Sequence, residues 1–244
     1  MEERDFNDIK VLFEDNHLLV VEKPPNMAVQ ADISGDRDLL TTLKAYIKEK
    51  YNKPGDAFLG LVHRLDRPVG GVMVFARTSK AAARISEQMR SRTIQKIYLA
   101  IVEGLTDSLH GILKDYLLKD HNNNTVSVVS KNTKGSQEAI LQYQVLSQRE
   151  GKTLLKIILE TGRAHQIRVQ LSNIGHPLMG DIKYGQKGKK GFTKSLALWS
   201  YSLSFNHPIK NENLKFISIP PKQDPWSTFL VDIEDKVLGD SSNE

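Results

Sequence analysis

Apolar runs of strand length follow one another along this chain, with few helix patterns between them. Residues 10–14 and 18–22 are two such runs on either side of Asp15-Asn16-His17, a spacing typical of a hairpin. Further strands are predicted at residues 71–76, 94–102, 138–147, 153–160, near 196–205 and near 215–219. Strands in succession predict an α+β fold, with a mixed, largely antiparallel β-sheet core and flanking helices.

Helix patterns occur at three places. Asp38 is a candidate N-cap for a helix that extends to about Lys50, and Ser79 is a candidate N-cap for a second helix. A third helix is predicted over residues 164–174. It should end at Gly175, because glycine commonly terminates helices.

Length and composition limit the class of protein. With 244 residues and 39% apolar content, the chain can bury a sizeable core. No linker rich in Gly, Pro or Ser interrupts it, so we expect a single domain over 1–244, with a core at about 10–231 that could comprise two lobes. The absence of cysteine excludes disulfides and thiolate nucleophiles, and it fits a reducing cytosol. The N-terminus is charged and no window is long enough to span a membrane, so we expect a cytoplasmic protein without a membrane partner. The sequence does not determine the oligomeric state, and a monomer is the simplest expectation.

Charge is distributed unevenly along the chain. The formal net charge is +5, but residues 231–244 hold five acids against Lys236, so that segment carries −4 and the remainder +9. Residues 232–244 thus form an acidic C-terminal segment. A basic body suits a polyanion such as nucleic acid, although charge alone fits equally well a basic soluble protein without that partner.

The segment HRLDRPVGG, residues 63–71, places one carboxylate between two guanidinium groups. Asp66 lies between Arg64 and Arg67, and His63 begins the segment. A carboxylate among cations, followed by a proline and paired glycines, is typical of a functional site. A surface turn with a local ion pair explains the same residues, because such pairs are common and weak.

The segment TGRAHQIRVQL, residues 161–171, places Arg163 and His165 at a predicted helix start, where backbone N–H groups favour anions. Arg168 lies three residues after His165 on the same side of the helix. An arginine on a packed helix can hold a carboxylate in bidentate geometry. A helix with a solvated cationic face is the alternative.

The segment KIYLAIVEG, residues 96–104, has strand alternation that puts Lys96, Tyr98 and Ala100 on one face. A tyrosine on the polar face of a buried strand can stack on a base and offer its hydroxyl group to a proton transfer. A half-buried packing residue is the alternative interpretation of Tyr98.

A lysine loop, residues 181–194, combines glycines with Lys187, Lys189 and Lys190 and has no acid after Asp181. Flexible, basic segments of this kind can follow a phosphate backbone. A charged loop without a ligand explains the composition equally well.

Together these segments resemble the RluA family of pseudouridine synthases. The matching segments, in the order of the family, are residues 11–29, 63–78, 96–104, 161–185 and 196–221. The HRLD segment combined with GRAHQIRV is highly specific for this family. The resemblance implies a pseudouridine synthase-like catalytic fold, RNA as the partner (ribosomal or transfer RNA), and a reaction that uses no cofactor and no metal.

The resemblance also implies roles for individual residues in the isomerisation of uridine to pseudouridine. Asp66 would be the catalytic carboxylate, acting as a nucleophile on the ribose C1′ or as a base that yields a glycal. Arg168 would pair with Asp66 and favour its charged form. Tyr98 would stack on the uracil, and Arg64 would fill the gap left by the flipped nucleotide. The candidate RNA contacts are His63, Arg67, Arg163, His165, Lys187, Lys189 and Lys190.

Some residues depart from the family pattern. The turn Val69-Gly70-Gly71 lacks the hydroxyl residue that relatives often place before the final glycine, Ala164 and Gln170 replace a commoner hydroxyl residue and His, and Trp199 replaces His. These changes concern the choice of RNA more than activity. Only about nine residues precede the first predicted strand, so we expect no S4-type module.

Two other classes of function fit parts of the pattern. An inactive RNA-binding relative of the same fold would be expected to lose Asp66, Tyr98 or Arg168, and all three are present. A hydrolytic glycosidase would need a second carboxylate at a defined separation from Asp66, and no Asp or Glu lies near it in sequence.

Overall fold

The computed structural model describes residues 9–185 and 195–238, and the chain forms two compact units. Unit 1 comprises residues 1–96 with 200–219, and unit 2 comprises residues 97–199 with 220–244. A single catalytic domain with two lobes stays a prediction. Within the described residues, no helix is long and apolar enough to cross a membrane.

The described residues contain eleven strands and four α-helices. In chain order the strands are β1 (Val11–Glu14), β2 (Leu18–Lys23), β3 (Gly60–Leu61), β4 (Gly70–Ala76), β5 (Gln95–Glu103), β6 (His110–Asp120), β7 (Thr125–Val129), β8 (Gln137–Arg149), β9 (Lys152–Leu159), β10 (Leu198–Asn206) and β11 (Asn213–Ile217). The helices are α1 (Leu39–Lys50), α2 (Ser79–Arg90), α3 (Gln166–Asn173) and α4 (Leu230–Ile233), with a 3-10 turn at Ser227–Phe229 and a π-helical turn at Glu234–Leu238. The predicted α+β fold is confirmed.

In unit 1 the strands follow the order β1-β2-β4-β10, with β3 beside β4 and β11 beside β10. The predicted hairpin joins β1 and β2, and Asp15 closes its turn by accepting two backbone hydrogen bonds at 2.7 and 2.8 Å. Val20 of β2 pairs with Val74 of β4 in antiparallel register. These two valines, Ile85 of α2 and Phe205 of β10 belong to one buried cluster, which is the core of unit 1.

The first two helices begin at side-chain caps. Asp38 caps α1 as predicted, accepting a hydrogen bond from the Thr41 N–H at 3.0 Å. The prediction that Ser79 caps α2 is wrong by one residue. Thr78 has the extended conformation of an N-cap, and its hydroxyl group accepts from the Ala81 N–H at 3.2 Å. Two adjacent hydroxyl residues fit the cap chemically, and the backbone angles select the first.

Helix α3 is shorter than predicted. It begins at Gln166, because His165 has a left-handed backbone, with φ of 51°, that a right-handed helix cannot include. It ends at Asn173, and Gly175, with φ of 85°, follows as the predicted stop. All residues from Gln166 to Leu171 are buried, so the polar side chains among them need partners inside the protein.

In unit 2 the strands follow the order β5-β9-β8-β6-β7, and each neighbouring pair is antiparallel. The sequence patterns did not predict β6 and β7. Val169 of α3 packs with Leu117, Val126 and Ala139 in a buried cluster, and this contact fixes α3 on one face of the sheet. Two of the three strands that hold α3, β6 and β7, were therefore not predicted from the sequence.

The acidic C-terminal segment is in part packed within unit 2. Asp232 of α4 is buried, and its carboxylate pairs with Arg149 at the end of β8. The Lys236 ammonium group donates to the carbonyl of Leu146 at 2.6 Å. Residues 239–244 lie outside the described residues. One of the five acids is therefore a buried structural group rather than part of a solvated tail.

Candidate active site

Asp66 lies on the turn between β3 and β4, and a buried lysine holds this turn. Lys23, the last residue of β2, is fully buried and donates to the carbonyls of Pro24 at 2.9 Å and Arg67 at 3.0 Å. The Val69 N–H donates to the Asp66 carbonyl at 3.0 Å and closes the turn. Asp66 itself is only half-buried. Its backbone is therefore fixed, while part of the residue remains accessible.

Gly71 has no room for a side chain. Its φ is 114°, and a Cβ atom would lie 2.2 Å from the carbonyl oxygen of Ser200 in β10. The Ser200 hydroxyl group also donates to the Val72 carbonyl at 3.0 Å. The sequence indicates only flexibility at the paired glycines, whereas the structure requires a glycine here so that β4 can approach β10 directly after the Asp66 turn.

The guanidinium group of Arg67 is bound by a different loop of unit 1. It pairs with Asp32 at 3.3 Å and with Asp36, and it donates to the Ser34 hydroxyl group at 3.0 Å. Arg64 is exposed. Of the two arginines that bracket Asp66 in sequence, Arg67 therefore binds the loop of residues 32–36, and Arg64 lies exposed at the surface.

His63 has a structural partner that the sequence did not indicate. Its Nε2 atom accepts a hydrogen bond from the Val74 N–H at 3.1 Å, which requires that Nε2 carry no proton. Burial and the charge of Lys96 lower the pKa of His63 to about 4. His63 is therefore a neutral acceptor inside unit 1, and its contact with RNA stays a prediction.

We expect the protein to lose stability as the pH falls from about 6.5 to about 4. An unfolded histidine has a pKa of about 6.5, whereas burial lowers that of folded His63 to about 4. Between these values the unfolded chain binds a proton that the folded chain does not, so acid favours unfolding. His63→Gln keeps an acceptor for Val74 without titrating. Thermal unfolding across this range should be less pH-dependent in the variant, and an equal dependence in both proteins would contradict the prediction.

A chain of buried side-chain hydrogen bonds fixes the loop before α3. Thr161 donates to Gln166 Oε1 at 2.8 Å, and Gln166 Nε2 donates to Gln170 Oε1 at 3.0 Å. Gln170 Nε2 donates to Asp115 of β6 at 2.7 Å, and the Arg163 N–H donates to Gln166 Oε1 at 3.0 Å. Gln170, a departure from the family pattern, therefore belongs to the scaffold that positions the loop.

Arg168 forms a buried, bidentate ion pair with Asp181. Its Nε and Nη2 atoms each donate to one carboxylate oxygen at 2.8 Å, and the two side chains are 7% and 0% exposed. One of these oxygens also accepts from the backbone N–H groups of Lys183 and Tyr184, at 2.9 and 3.0 Å. Burial opposes ionisation, but the bonds and charge of Arg168 hold the pKa of Asp181 below its ordinary value. The predicted pairing of Arg168 with Asp66 stays a prediction.

Tyr98 lies in the part of β5 that belongs to unit 2, and it is buried. The prediction of a polar strand face is wrong, because residues 97–102 are buried on both faces of β5. Ala100, on the predicted polar face, is fully buried. The alternation of residue types in this segment therefore does not mark a solvent-facing side of the strand. A role of Tyr98 in stacking on a base stays a prediction.

The predicted RNA contacts in the lysine loop lie outside the described residues. Lys187, Lys189 and Lys190 fall within residues 186–194, which the structure does not describe. Lys183, which precedes them, is exposed and donates to the Asn124 carbonyl at 2.7 Å.

Three side chains have structural roles in these networks that the sequence did not predict. Lys23 gives no signal, because its partners are backbone carbonyls and its burial depends on contacts across the fold. Asp181 offers a signal in retrospect, since it is the only acid at the start of a lysine-rich segment. Tyr184 is visible only as an aromatic residue in that segment. Within the two described ranges, no group of three or more His, Asp or Glu side chains could hold a metal ion.

Comparison with known proteins identifies a family. A sequence profile described as RNA pseudouridylate synthase matches residues 17–173. The uncharacterized RNA pseudouridine synthase YhcT of Bacillus subtilis is 34% identical, over 85% of this chain and 67% of that protein. Ribosomal large subunit pseudouridine synthase D of Zymomonas mobilis is 34% identical, over 88% and 70%. A solved structure of human RNA pseudouridylate synthase domain containing 4 is 25% identical, with a TM-score of 0.74 over 92% of this chain and 91% of that one.

The chain belongs to the RNA pseudouridylate synthase family and, within it, to the RluA family. Enzymes of this family are isomerases, which move the attachment of uracil to ribose from N1 to C5. The chain spans about two thirds of the length of the curated relatives that it matches.

Proposed function

We propose that this chain isomerises a uridine of ribosomal RNA to pseudouridine, with Asp66 as the reacting carboxylate. The main support for this proposal is the backbone around Asp66. Asp66 is a half-buried acid on a turn that the buried Lys23 fixes, and Gly71, which follows the turn, has no room for a side chain. The Zymomonas mobilis relative is a ribosomal large subunit pseudouridine synthase, which supports ribosomal RNA as the substrate class.

The proposed reaction breaks the bond between N1 and the ribose C1′, turns the uracil, and joins C5 to the same C1′. Asp66 serves either as a nucleophile on C1′, leaving when C5 attacks, or as a base that removes the C2′ proton to give a glycal and returns that proton to C2′ when C5 bonds to C1′. The net change is the movement of one proton from C5 to N1. The atoms therefore balance without an oxidant or a group donor, and the step needs a carboxylate and a site that excludes water.

Three further side chains complete the proposed chemistry. Tyr98 stacks on the uracil and assists removal of the C5 proton. Arg168 supplies a positive charge for the reacting carboxylate, and its bidentate pair with Asp181 limits how its guanidinium group can rotate. Arg64, which is exposed, fills the gap left by the flipped nucleotide.

The proposed RNA contacts are cationic or polar groups in both units. The body of the chain, without residues 231–244, carries a net charge of +9 and so attracts phosphate groups. Contacts are proposed for His63, Arg67, Arg163, His165, Lys187, Lys189 and Lys190.

The proposal is tested by mapping pseudouridine at nucleotide resolution in RNA from a strain that lacks the protein, before and after incubation with the purified chain. We expect one or a few uridines of ribosomal RNA to be converted, and none with Asp66→Asn. Conversion only in transfer RNA would overturn the substrate class. Binding of RNA without conversion would indicate an inactive relative, and release of free uracil would indicate a hydrolytic glycosidase.

A further inference from the structure

Tyr184 contacts three parts of unit 2, and none of the roles above uses its hydroxyl group. The Val126 N–H of β7 donates to the Tyr184 oxygen at 2.9 Å, and this oxygen lies 2.6 Å from His165 Nδ1. The Ser172 hydroxyl group donates to the Tyr184 carbonyl at 2.7 Å. The tyrosine ring also lies 5.1 Å from the guanidinium carbon of Arg168. Tyr184 is therefore held at its backbone, its ring and its hydroxyl group.

The turn that carries Tyr184 has a geometry that only glycine permits at its end. The Gly185 N–H donates to the Asp181 carbonyl at 2.9 Å, and a Cβ atom at Gly185 would lie 2.3 Å from that oxygen. The Asp181 carboxylate accepts from the Tyr184 N–H at 3.0 Å and holds Arg168. One turn thus positions an acid for Arg168 and a phenol for His165.

The relative acidity of Tyr184 and His165 indicates which of them donates. The Tyr184 oxygen accepts from the Val126 N–H and lies 2.6 Å from His165 Nδ1, so a single proton lies between this oxygen and this nitrogen. A phenol O–H is a stronger acid than a neutral imidazole N–H, so donation from oxygen to nitrogen is the favoured direction. Nδ1 is then an acceptor, and the neutral imidazole carries its proton on Nε2.

We propose that Tyr184 is a positioning residue, which holds His165 with a proton on Nε2 so that it donates a hydrogen bond to an acceptor oxygen of the bound RNA. His165 is half-buried at the N-terminus of α3, and its ring makes no cap hydrogen bond to the helix. Its left-handed backbone, with φ of 51° and ψ of 19°, fixes where the side chain leaves the helix start. This inference rests on the proposed function, since the acceptor belongs to the RNA substrate.

Nitrogen NMR of the protein with 15N-labelled histidine reports the tautomer without any enzymatic assay. His165 is assigned by the signals that vanish in His165→Asn, and spectra are recorded above the ordinary pKa of imidazole. We expect an unprotonated Nδ1 and a protonated Nε2 in the wild type, and a mixture of tautomers in Tyr184→Phe. Tyr116→Phe is the matched control, because Tyr116 lies in the same unit and its hydroxyl group bonds to no other described residue. A protonated Nδ1 in the wild type would overturn the proposal.

A double-variant comparison shows whether Tyr184 acts through His165. Tyr184→Phe should lower kcat/KM for RNA about two- to ten-fold, the range for one neutral hydrogen bond. In a His165→Asn background, chosen because Asn tolerates the left-handed backbone, the same change should lower it no further. An equal loss in both backgrounds would show that the hydroxyl group acts elsewhere. If even the wild type forms no pseudouridine, the proposed function fails, while the tautomer measurement still decides the role of Tyr184.

Discussion

Replacement of Asp66 by Asn is expected to abolish pseudouridine formation, to below about a thousandth of the normal rate, while the fold and the RNA affinity change little. The amide keeps the volume of the carboxylate but is neither an effective nucleophile nor a base. The turn is held by bonds from Lys23 to the Arg67 carbonyl and from Val69 to the Asp66 carbonyl, and neither bond involves the substituted group. Single-turnover conversion of ribosomal RNA measures the effect.

Asp107→Asn provides the matched control for this variant. Asp107 is an exposed carboxylate in unit 2, and it forms no ion pair with another described residue. Its replacement should leave the conversion rate unchanged, because it removes the same charge from an unrelated surface position. Pseudouridine formation by purified Asp66→Asn protein at more than a trace of the normal rate would remove Asp66 from its assigned role.

The strands that could be predicted are those with a simple apolar pattern. The fully buried β4 reads as a continuous apolar run, and β2 is buried at nearly every position. Strand β6 has apolar residues on both faces, and Ile112 is 67% exposed, so its apolar residues do not follow the alternation in solvent exposure. The pattern therefore did not reveal β6. Strand β7 is a short β-branched run, TVSVV, which the sequence analysis missed, and in the described sheet it pairs only with β6.

Site residues could be predicted where the functional groups are neighbours in sequence, but not where they depend on contacts between distant residues. The segment that carries Asp66 could be predicted, because its acid, cations and glycines are adjacent in sequence. The bond from Lys23 to the turn joins residues 44 positions apart, and no local pattern encodes it. Arg67 follows Asp66 directly in sequence, yet its guanidinium group binds the loop that contains Asp32 and Asp36.

Replacement of Arg168 by Met is expected to lower the free energy of unfolding by about 3–5 kcal/mol and to remove most of the activity. The Asp181 side chain is 0% exposed, so loss of Arg168 leaves a buried carboxylate whose charge, within the described residues, is compensated only by two backbone N–H groups. Methionine retains much of the apolar volume of arginine, so the loss reports charge rather than packing. Chemical denaturation measures the change in free energy.

Two further variants test whether the loss of stability comes from the buried charge of Asp181 or simply from the removal of a positive charge. Lys114 pairs with Glu138 at 3.2 Å with exposed fractions of 60% and 32%, so Lys114→Met should cost less than about 1 kcal/mol. Adding Asp181→Asn to Arg168→Met removes the uncompensated charge while keeping an acceptor for the Lys183 and Tyr184 N–H groups. The double variant should therefore be more stable than Arg168→Met alone. If Arg168→Met costs no more than Lys114→Met, the buried pair does not hold the helix start, and the orientation of Arg168 must come from its packing alone.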